Sequence, residues 1–79
     1  MKLSKAVSVK ILSICENKSI SANKLASICC LTQSTVQNLI AGKSKNPKML
    51  TIIRICEGLE IPLKDFFDDD LFDNIERED

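Results

Sequence analysis

Apolar residues recur along this chain at the spacing of α-helices. Val7, Ile11, Ile14 and Cys15 fall at positions i, i+4, i+7 and i+8, which places them on one face of a helix. The apolar residues do not alternate with polar ones in the way that a half-buried strand requires. The spacing therefore predicts a first helix over about 4–16.

Capping residues and helix breakers set the bounds of four further helices. Ser21 and Thr32 have side chains that cap helix N-termini, and Gly42 suits the position that closes a helix. A fourth helix is expected to stop near Gly58, and Pro62 fits the first turn of a fifth. These four helices are expected over about 22–29, 33–41, 48–57 and 62–67.

The core of such a bundle has to be mainly aliphatic. Aromatic residues make up only 4% of the 79 residues, and a chain of this length supports one domain. We therefore predict an all-α fold, a compact bundle of five short helices. Beyond the first helix, the residues expected in the core are Leu25, Ala26, Ile28, Cys29, Val36, Leu39, Ile40, Met49, Ile52, Ile55 and Cys56.

Formal charge is unevenly distributed, although the total is zero. Residues 1–56 hold nine basic residues and one acid, a net +8, whereas residues 57–79 hold two basic residues and ten acids, a net −8. A binding partner responds to this local potential rather than to the total. We expect a basic domain over 1–67 and an acidic C-terminal tail over 68–79.

The reactive side chains of the sequence do not form a recognisable site. There is no histidine and no Cys-x-x-Cys pair, and Cys15, Cys29, Cys30 and Cys56 each lie beside Ile or Leu. Disulfides or a zinc site are the alternative, but we expect four buried, reduced thiols. No glycine-rich phosphate loop and no nucleophile beside a base is present, so neither enzymatic activity nor a cofactor is expected.

Targeting signals are also absent from the sequence. Residues 1–15 do not resemble a signal peptide, and no apolar run approaches the roughly 20 residues that span a membrane. We therefore expect a cytoplasmic protein with no membrane partner. A further domain that senses a small-molecule effector would need roughly 50 more residues, so none is expected.

Residues 22–41 have the pattern of a helix-turn-helix. A short helix over about 22–29 is followed by about three residues and then by a second helix over about 33–41. In a helix-turn-helix the second helix lies in the major groove of double-stranded DNA and presents its N-terminal residues to base edges. Its outward face is polar and uncharged, and the residues expected to contact bases are Gln33, Ser34, Thr35, Gln37 and Asn38.

A basic loop over 42–48 directly follows that second helix. Lys43, Lys45 and Lys48 lie in it together with Ser44 and Asn46. Such side chains suit contact with DNA phosphates, and each lysine would neutralise about one phosphate. The second helix is therefore expected to specify the DNA sequence, while the loop anchors the protein on the backbone.

The stretch 21–67 resembles the Cro/C1-type (phage-repressor-like, or XRE) helix-turn-helix family. The matching residues are Leu25-Ala26, Leu31-Thr32, Val36, Leu39, Gly42-Lys43, Asn46-Pro47, Thr51-Ile52, Ile55-Cys56, Leu59 and Phe66-Phe67. The resemblance implies a five-helix bundle of the lambda-repressor-like DNA-binding type. It also implies a bacterial or phage regulator that binds operator half-sites as a homodimer in the nucleoid. The phosphate contacts that it implies are Ser21, Ala22, Asn23, Thr32, Lys43, Lys45, Asn46 and Lys48.

The sequence departs from the family pattern at two places. The turn between the paired helices usually has glycine, where a positive φ is favoured, and here the residue is Cys30. A non-glycine residue in that conformation costs about 1 kcal/mol, so the turn is expected to be slightly reshaped. Many members also bury an Arg–Glu pair between the first and third helices, and Cys15 and Ile40 take those places here. Apolar replacement of a buried ion pair is well tolerated.

The expected function is sequence-specific transcriptional regulation, as a repressor or as an activator. Residues 33–38 could instead be an ordinary solvated face, although such faces usually carry Lys and Glu. The rival function is a protein-interaction module on the same fold, such as an antitoxin or the partner of a regulator, because one fold hosts many functions. Salt-dependent binding to duplex DNA separates the two functions.

Three roles are open for the acidic tail. Acids at 68–70 and 76–79 most simply keep the end of the chain solvated. The tail could instead fold back and compete with DNA for the basic surface, or Leu71, Phe72 and Ile75 could pair two subunits. Truncation after Phe67 distinguishes these roles through DNA affinity and sedimentation mass.

Overall fold

The computed structural model of the protein describes residues 1–77, and these residues form a bundle of short helices. A 3₁₀ helix, Asp70–Phe72, follows the last α-helix. The prediction of an all-α fold with five helices is confirmed. The α-helices are α1 Leu3–Lys18, α2 Ala22–Ile28, α3 Gln33–Ile40, α4 Met49–Leu59 and α5 Leu63–Phe67.

The helices begin and end at residues whose chemistry suits those positions. The Ser21 hydroxyl accepts a hydrogen bond from the backbone N–H of Lys24 at 3.1 Å and caps α2. At the C-termini of α1 and α4, the capping residues Ser19 and Glu60 adopt left-handed backbone conformations, with φ of 54° and 58°, and end these helices. Gly42, with φ of 71°, turns the chain after α3. The caps thus determine where each helix stops.

The hydrophobic core lies where α1, α2, α3 and α4 meet, and α5 closes it. Leu25, Val36, Ile55 and Phe66 are completely shielded from solvent, and each comes from a different helix. The three buried thiols join this cluster as small apolar groups. The core positions α3 with one face inward and the other face at the surface.

Gly58 does not end α4, contrary to the sequence prediction. The helix continues through Gly58 to Leu59, and Glu60 is the residue that closes it. A Cβ atom at position 58 would lie 2.7 Å from Cys29 Sγ and 3.2 Å from Cys29 Cα. The glycine is therefore required by the close approach of α2 to α4, and this contact is not visible in the local sequence pattern.

We expect Gly58→Ala to destabilise the protein. The added Cβ would press on backbone atoms of Cys29 and Ile28 that cannot move as a flexible side chain can. Overpacking of this kind costs about 1–3 kcal/mol, which exceeds the helix propensity of about 1 kcal/mol that alanine gains over glycine. Urea denaturation should show a lower midpoint. Glu57→Ala, at the exposed neighbouring position, should change stability by less than about 0.5 kcal/mol, and equal stability of both variants would refute the close contact.

Three residues that were predicted to be buried lie at the surface. Ile28 is 37% exposed because the buried residues of α2 are Leu25 and Ala26, and the next buried position is Cys29, which caps the helix. Cys30 is exposed because it sits in the turn, where its φ of 57° shows that the left-handed conformation is kept although the residue is not glycine. Met49 is 52% exposed, since it precedes the inward face of α4, which begins at Ile52. Ile40 is half-buried rather than fully buried.

Residues 68–76, which we call the C-terminal segment, lie against α1. The Asp69 carboxylate pairs with the Lys10 ammonium at 3.0 Å and accepts a hydrogen bond from the N–H of Leu71 at 3.0 Å. Phe72 packs on Phe67 with ring centroids 5.1 Å apart. At the end of the segment, the Glu76 N–H donates to the carbonyl oxygen of Met1 at 3.0 Å. The segment thus contacts the domain at several points.

Two parts of the tail prediction are not addressed by these contacts. Glu78 and Asp79, its last acids, lie outside the described residues. The division of the chain into a domain over 1–67 and a tail over 68–79 remains a prediction.

We expect the contact between the C-terminal segment and α1 to stabilise the protein less in acid. The hydrogen bond from Leu71 and the ion pair with Lys10 hold the pKa of Asp69 below its ordinary value. A carboxyl whose pKa is lower in the folded state stabilises the fold above its unfolded pKa, near 3.9, and loses that contribution as the pH falls through its folded pKa. Urea midpoints measured from pH 7 down to pH 3 should therefore fall less for Asp69→Asn than for the unaltered protein. Asp68→Asn, at an exposed position, is the control and should keep the acid sensitivity of the unaltered protein.

Candidate nucleic-acid interface

The outward face of α3 presents the polar residues that the sequence singled out. Gln33, Ser34, Gln37 and Asn38 are exposed, while Val36 and Leu39 hold the opposite face in the core. No residue of α3 carries a charge. The face therefore offers amide and hydroxyl groups on a rigid helix, and each can donate or accept hydrogen bonds.

Thr35 is placed differently from the other predicted base-contact residues. It is half-buried, and its hydroxyl lies 2.8 Å from the hydroxyl of Thr32. The Thr32 hydroxyl also accepts a hydrogen bond from the Thr35 N–H at 3.2 Å and so caps α3. These two side chains are thus tied together at the N-terminus of the helix.

The start of α2 has a similar cap. Ser21 and Asn23 are exposed and Ala22 is half-buried. The Ser21 oxygen is occupied as an acceptor by Lys24 N–H, which leaves the hydroxyl proton available for an anionic oxygen. No acidic residue lies in the first turn of α2 or of α3, so both N-termini keep the positive end of the helix dipole.

The loop over 42–48 leaves α3 through a hydrogen-bonded turn at Gly42. The Lys43 N–H donates to the Asn38 carbonyl oxygen at 3.0 Å, which fixes the first lysine close to the end of the helix. Lys43, Lys45, Asn46 and Lys48 are all exposed. Among residues 1–77 the ion pairs join Lys10 to Asp69 and the N-terminus to Glu76, so the three loop lysines are not neutralised there.

A cleft of about 270 Å³ joins α3 to this loop. It brings together two residues predicted to contact bases, Thr35 and Asn38, with two predicted to contact phosphates, Asn46 and Lys48. The other lining residues are Leu39, Ser44, Pro47 and Thr51. Neither Lys43 and Lys45 nor the start of α2 lines this cleft.

Thr51 was not among the predicted site residues, and Ser44 was noted in the basic loop but not assigned a specific phosphate contact. The hydroxyl of Thr51 was missed because it lies in α4, one turn after Lys48, and only the folded chain brings that turn to α3. The spacing of three residues between Lys48 and Thr51, which places both on one side of a helix, was the available signal. Ser44 lies inside the predicted basic loop and was a visible candidate.

The buried thiols are suited to packing rather than to reaction. Burial raises the pKa of Cys15, Cys29 and Cys56, so these thiols stay protonated at neutral pH. For Cys29 the neighbouring cysteines raise the pKa further. In the described part of the chain, no three cysteine or carboxylate side chains are grouped so that they could hold a metal ion. None of the helices within residues 1–77 has the length and apolar character needed to cross a membrane.

The paired helices α2 and α3, joined by a turn at Cys30 and followed by a basic loop, define a helix-turn-helix DNA-binding domain. A family model of the Cro/C1-type HTH DNA-binding domain matches residues 10–70. The chain belongs to this family. No curated protein and no solved structure matches the chain.

Proposed function

We propose that the protein is a sequence-specific transcriptional regulator that places α3 in the major groove and anchors the loop 42–48 on the flanking phosphates. The observation that carries this proposal is the cleft that joins the uncharged polar face of α3 to Lys48, in a loop whose three lysines are all exposed. A surface built only to stay solvated has no need of this division between neutral and basic parts.

The helix face is assigned to base recognition. Gln33, Gln37 and Asn38 have exposed amides that can each donate and accept, as the major-groove edge of adenine requires. Ser34 and Thr35 can bond several kinds of base edge, or touch the thymine methyl group. The helix has no arginine to pair with guanine, so the preferred sites should be rich in A·T pairs.

The loop and the helix starts are assigned to the DNA backbone. The side chains of Lys43, Lys45 and Lys48 can each neutralise about one phosphate. The first turn of α4 contains no acid, and the capping residue Lys48 makes no side-chain hydrogen bond to it. The backbone N–H groups of that first turn therefore add to the attraction for an anion. The other proposed phosphate contacts are Ser21, Ala22, Asn23, Thr32 and Asn46.

We propose further that the protein acts as a homodimer, because helix-turn-helix regulators read paired half-sites about one helical turn apart. We place this homodimer in the cytoplasm of a bacterial or phage-infected cell. Its DNA-binding unit is 1–67, and it has no catalytic role. Met49, Leu50 and Leu63 are exposed apolar side chains on α4 and α5 that a second subunit would cover.

Salt dependence tests whether the protein binds DNA at all. Neutralised phosphates release counterions, so the logarithm of the affinity should fall linearly as the logarithm of salt concentration rises. Fluorescence anisotropy with a labelled duplex between 50 and 200 mM salt would measure this slope. Absence of salt-dependent binding to any duplex would contradict the proposal and favour the protein-interaction module.

We expect Gln33→Ala to relax sequence preference. Loss of one paired hydrogen bond to a base costs about 1–3 kcal/mol, or about 5- to 150-fold in affinity for the preferred duplex. Binding to a scrambled duplex should change little, because phosphate contacts dominate it. Asn17→Ala is the control, since Asn17 is an exposed amide outside α3. Equal affinity losses on the preferred and scrambled duplexes would remove Gln33 from the reading face.

A further inference from the structure

The C-terminal end of α3 has all of its carbonyl groups hydrogen-bonded. The last four carbonyls of an α-helix have no partner within the helix, and they need donors from elsewhere. In α3 three of these donors are backbone N–H groups of the turn that begins the basic loop, and the fourth is a side chain from α1. The pairs are Gln37 with Ala41, Asn38 with Lys43, Leu39 with Gly42, and Ile40 with the Ser8 hydroxyl.

Ser8 makes this contact from a buried position in the middle of α1. Its hydroxyl donates to the carbonyl oxygen of Ile40, 32 residues further along the chain. Ser4, one helical turn before it, is also buried, and its carbonyl oxygen lies 4.0 Å from the place where a Cβ on Gly42 would be. Two small side chains thus let α1 approach the end of α3 closely.

A serine at position 8 is not explained by the stability of α1 alone. Serine has a lower helix propensity than alanine, and the neighbouring Ala6 shows that α1 accepts alanine at a fully buried position. A serine inside a helix often bonds back to the carbonyl four residues earlier. In α1 the hydroxyl of Ser8 reaches across to a different helix instead.

We propose that Ser8 is a positioning residue for DNA recognition, because its hydroxyl sets the angle of α3 against α1. This inference rests on the proposed function and adds a residue that does not touch DNA. Without that hydroxyl the Ile40 carbonyl has to find water, and the end of α3 shifts toward solvent. Hydrogen bonds to bases need correct alignment, whereas long lysine side chains adjust to reach phosphates. Removal of the Ser8 hydroxyl should therefore reduce the preference for one DNA sequence over another more than the affinity for DNA in general.

The test compares Ser8→Ala with Ser13→Ala, an exposed serine on the same helix. A duplex selected from a random pool and a scrambled duplex are titrated at a temperature at which both variants are fully folded by circular dichroism. Ser8→Ala is expected to lower the ratio of the two affinities about tenfold, the effect of losing one well-made base contact. Its affinity for the scrambled duplex and its salt slope should remain within about twofold of the unaltered protein, since the phosphate contacts are kept.

The outcomes separate this inference from the function on which it rests. If Ser8→Ala keeps the same ratio as Ser13→Ala, or loses affinity equally for both duplexes, Ser8 has no positioning role. If the unaltered protein prefers no duplex over another, the proposed function itself is contradicted, and the inference is overturned with it. A lower ratio in Ser8→Ala alone supports the assignment.

Discussion

Replacing Lys43, Lys45 and Lys48 together by alanine is expected to lower the affinity for duplex DNA about 500-fold at 0.1 M salt. Each neutralised phosphate lowers log K by about 0.9 for each tenfold rise in salt, so one contact contributes about eightfold at this concentration. The three side chains are exposed and make no ion pair within residues 1–77, so their loss should leave the fold intact. Anisotropy titrations at several salt concentrations should show a slope shallower by about 2.7.

A matched variant controls for the change in net charge. Lys18, Arg54 and Lys64 are exposed basic residues outside the loop, and replacing them by alanine removes the same three charges. Charges without a phosphate partner act only at long range, which salt screens beyond about 10 Å at 0.1 M. Equal losses of affinity in the two triple variants would show that the loop is not the anchor.

The largest expected effect on stability comes from Phe66→Ala. The Phe66 ring is completely buried. Its centroid lies 5.1 Å from the ring centroid of Phe67 and 6.0 Å from that of Phe72. Truncation of a buried phenylalanine costs about 3–5 kcal/mol, which is a large share of the roughly 5–15 kcal/mol that stabilises a small domain. Urea denaturation followed by circular dichroism should show a much lower midpoint or no cooperative transition.

Phe67→Ala is the comparison for that experiment. Phe67 is half-buried, so its truncation removes less apolar surface from the core and should be milder. Phe66 also joins the C-terminal segment to the core through Phe72. If Phe66→Ala were as stable as Phe67→Ala, the larger contribution of the buried Phe66 ring to stability would be contradicted.

Local signals were sufficient to predict the helices and most of their ends. Ser21 and Thr32 cap α2 and α3 because short hydroxyl side chains satisfy amide groups that the helix leaves unpaired. Gly42 closes α3, and Cys30 takes the left-handed turn position where the family usually has glycine. Both features depend on residues adjacent in sequence, which explains why the sequence reveals them.

Contacts between distant residues account for the differences. Gly58 was predicted to end a helix. A glycine is required there because Cys29, at the end of α2, approaches α4 closely. The contact between Asp69 and Lys10 joins residues 59 positions apart, and nothing in either local pattern indicates it. Met49 has an apolar side chain typical of a core residue, but it is exposed because it precedes the inward face of α4.

The same distinction applies to the candidate interface. The neutral face of α3 and the lysine loop follow from helical periodicity and composition. The structure leaves the three lysines exposed, and also the predicted base-contact residues except for the half-buried Thr35. The cleft that adds Thr51, and the hydroxyl of Ser8 at the end of α3, arise from packing between helices. The local sequence pattern thus indicates which side chains are exposed on α3 and the loop, and it does not indicate which contacts hold them in place.

The most direct test of this account is selection of bound duplexes from a random pool by the unaltered protein. In the proposed function, the uncharged face of α3 reads base edges while the basic loop supplies affinity. The predicted result is a recurrent motif rich in A·T pairs, present as two half-sites about 10 base pairs apart. A bound pool with the same base composition as the starting pool, and no recurrent motif, would contradict it.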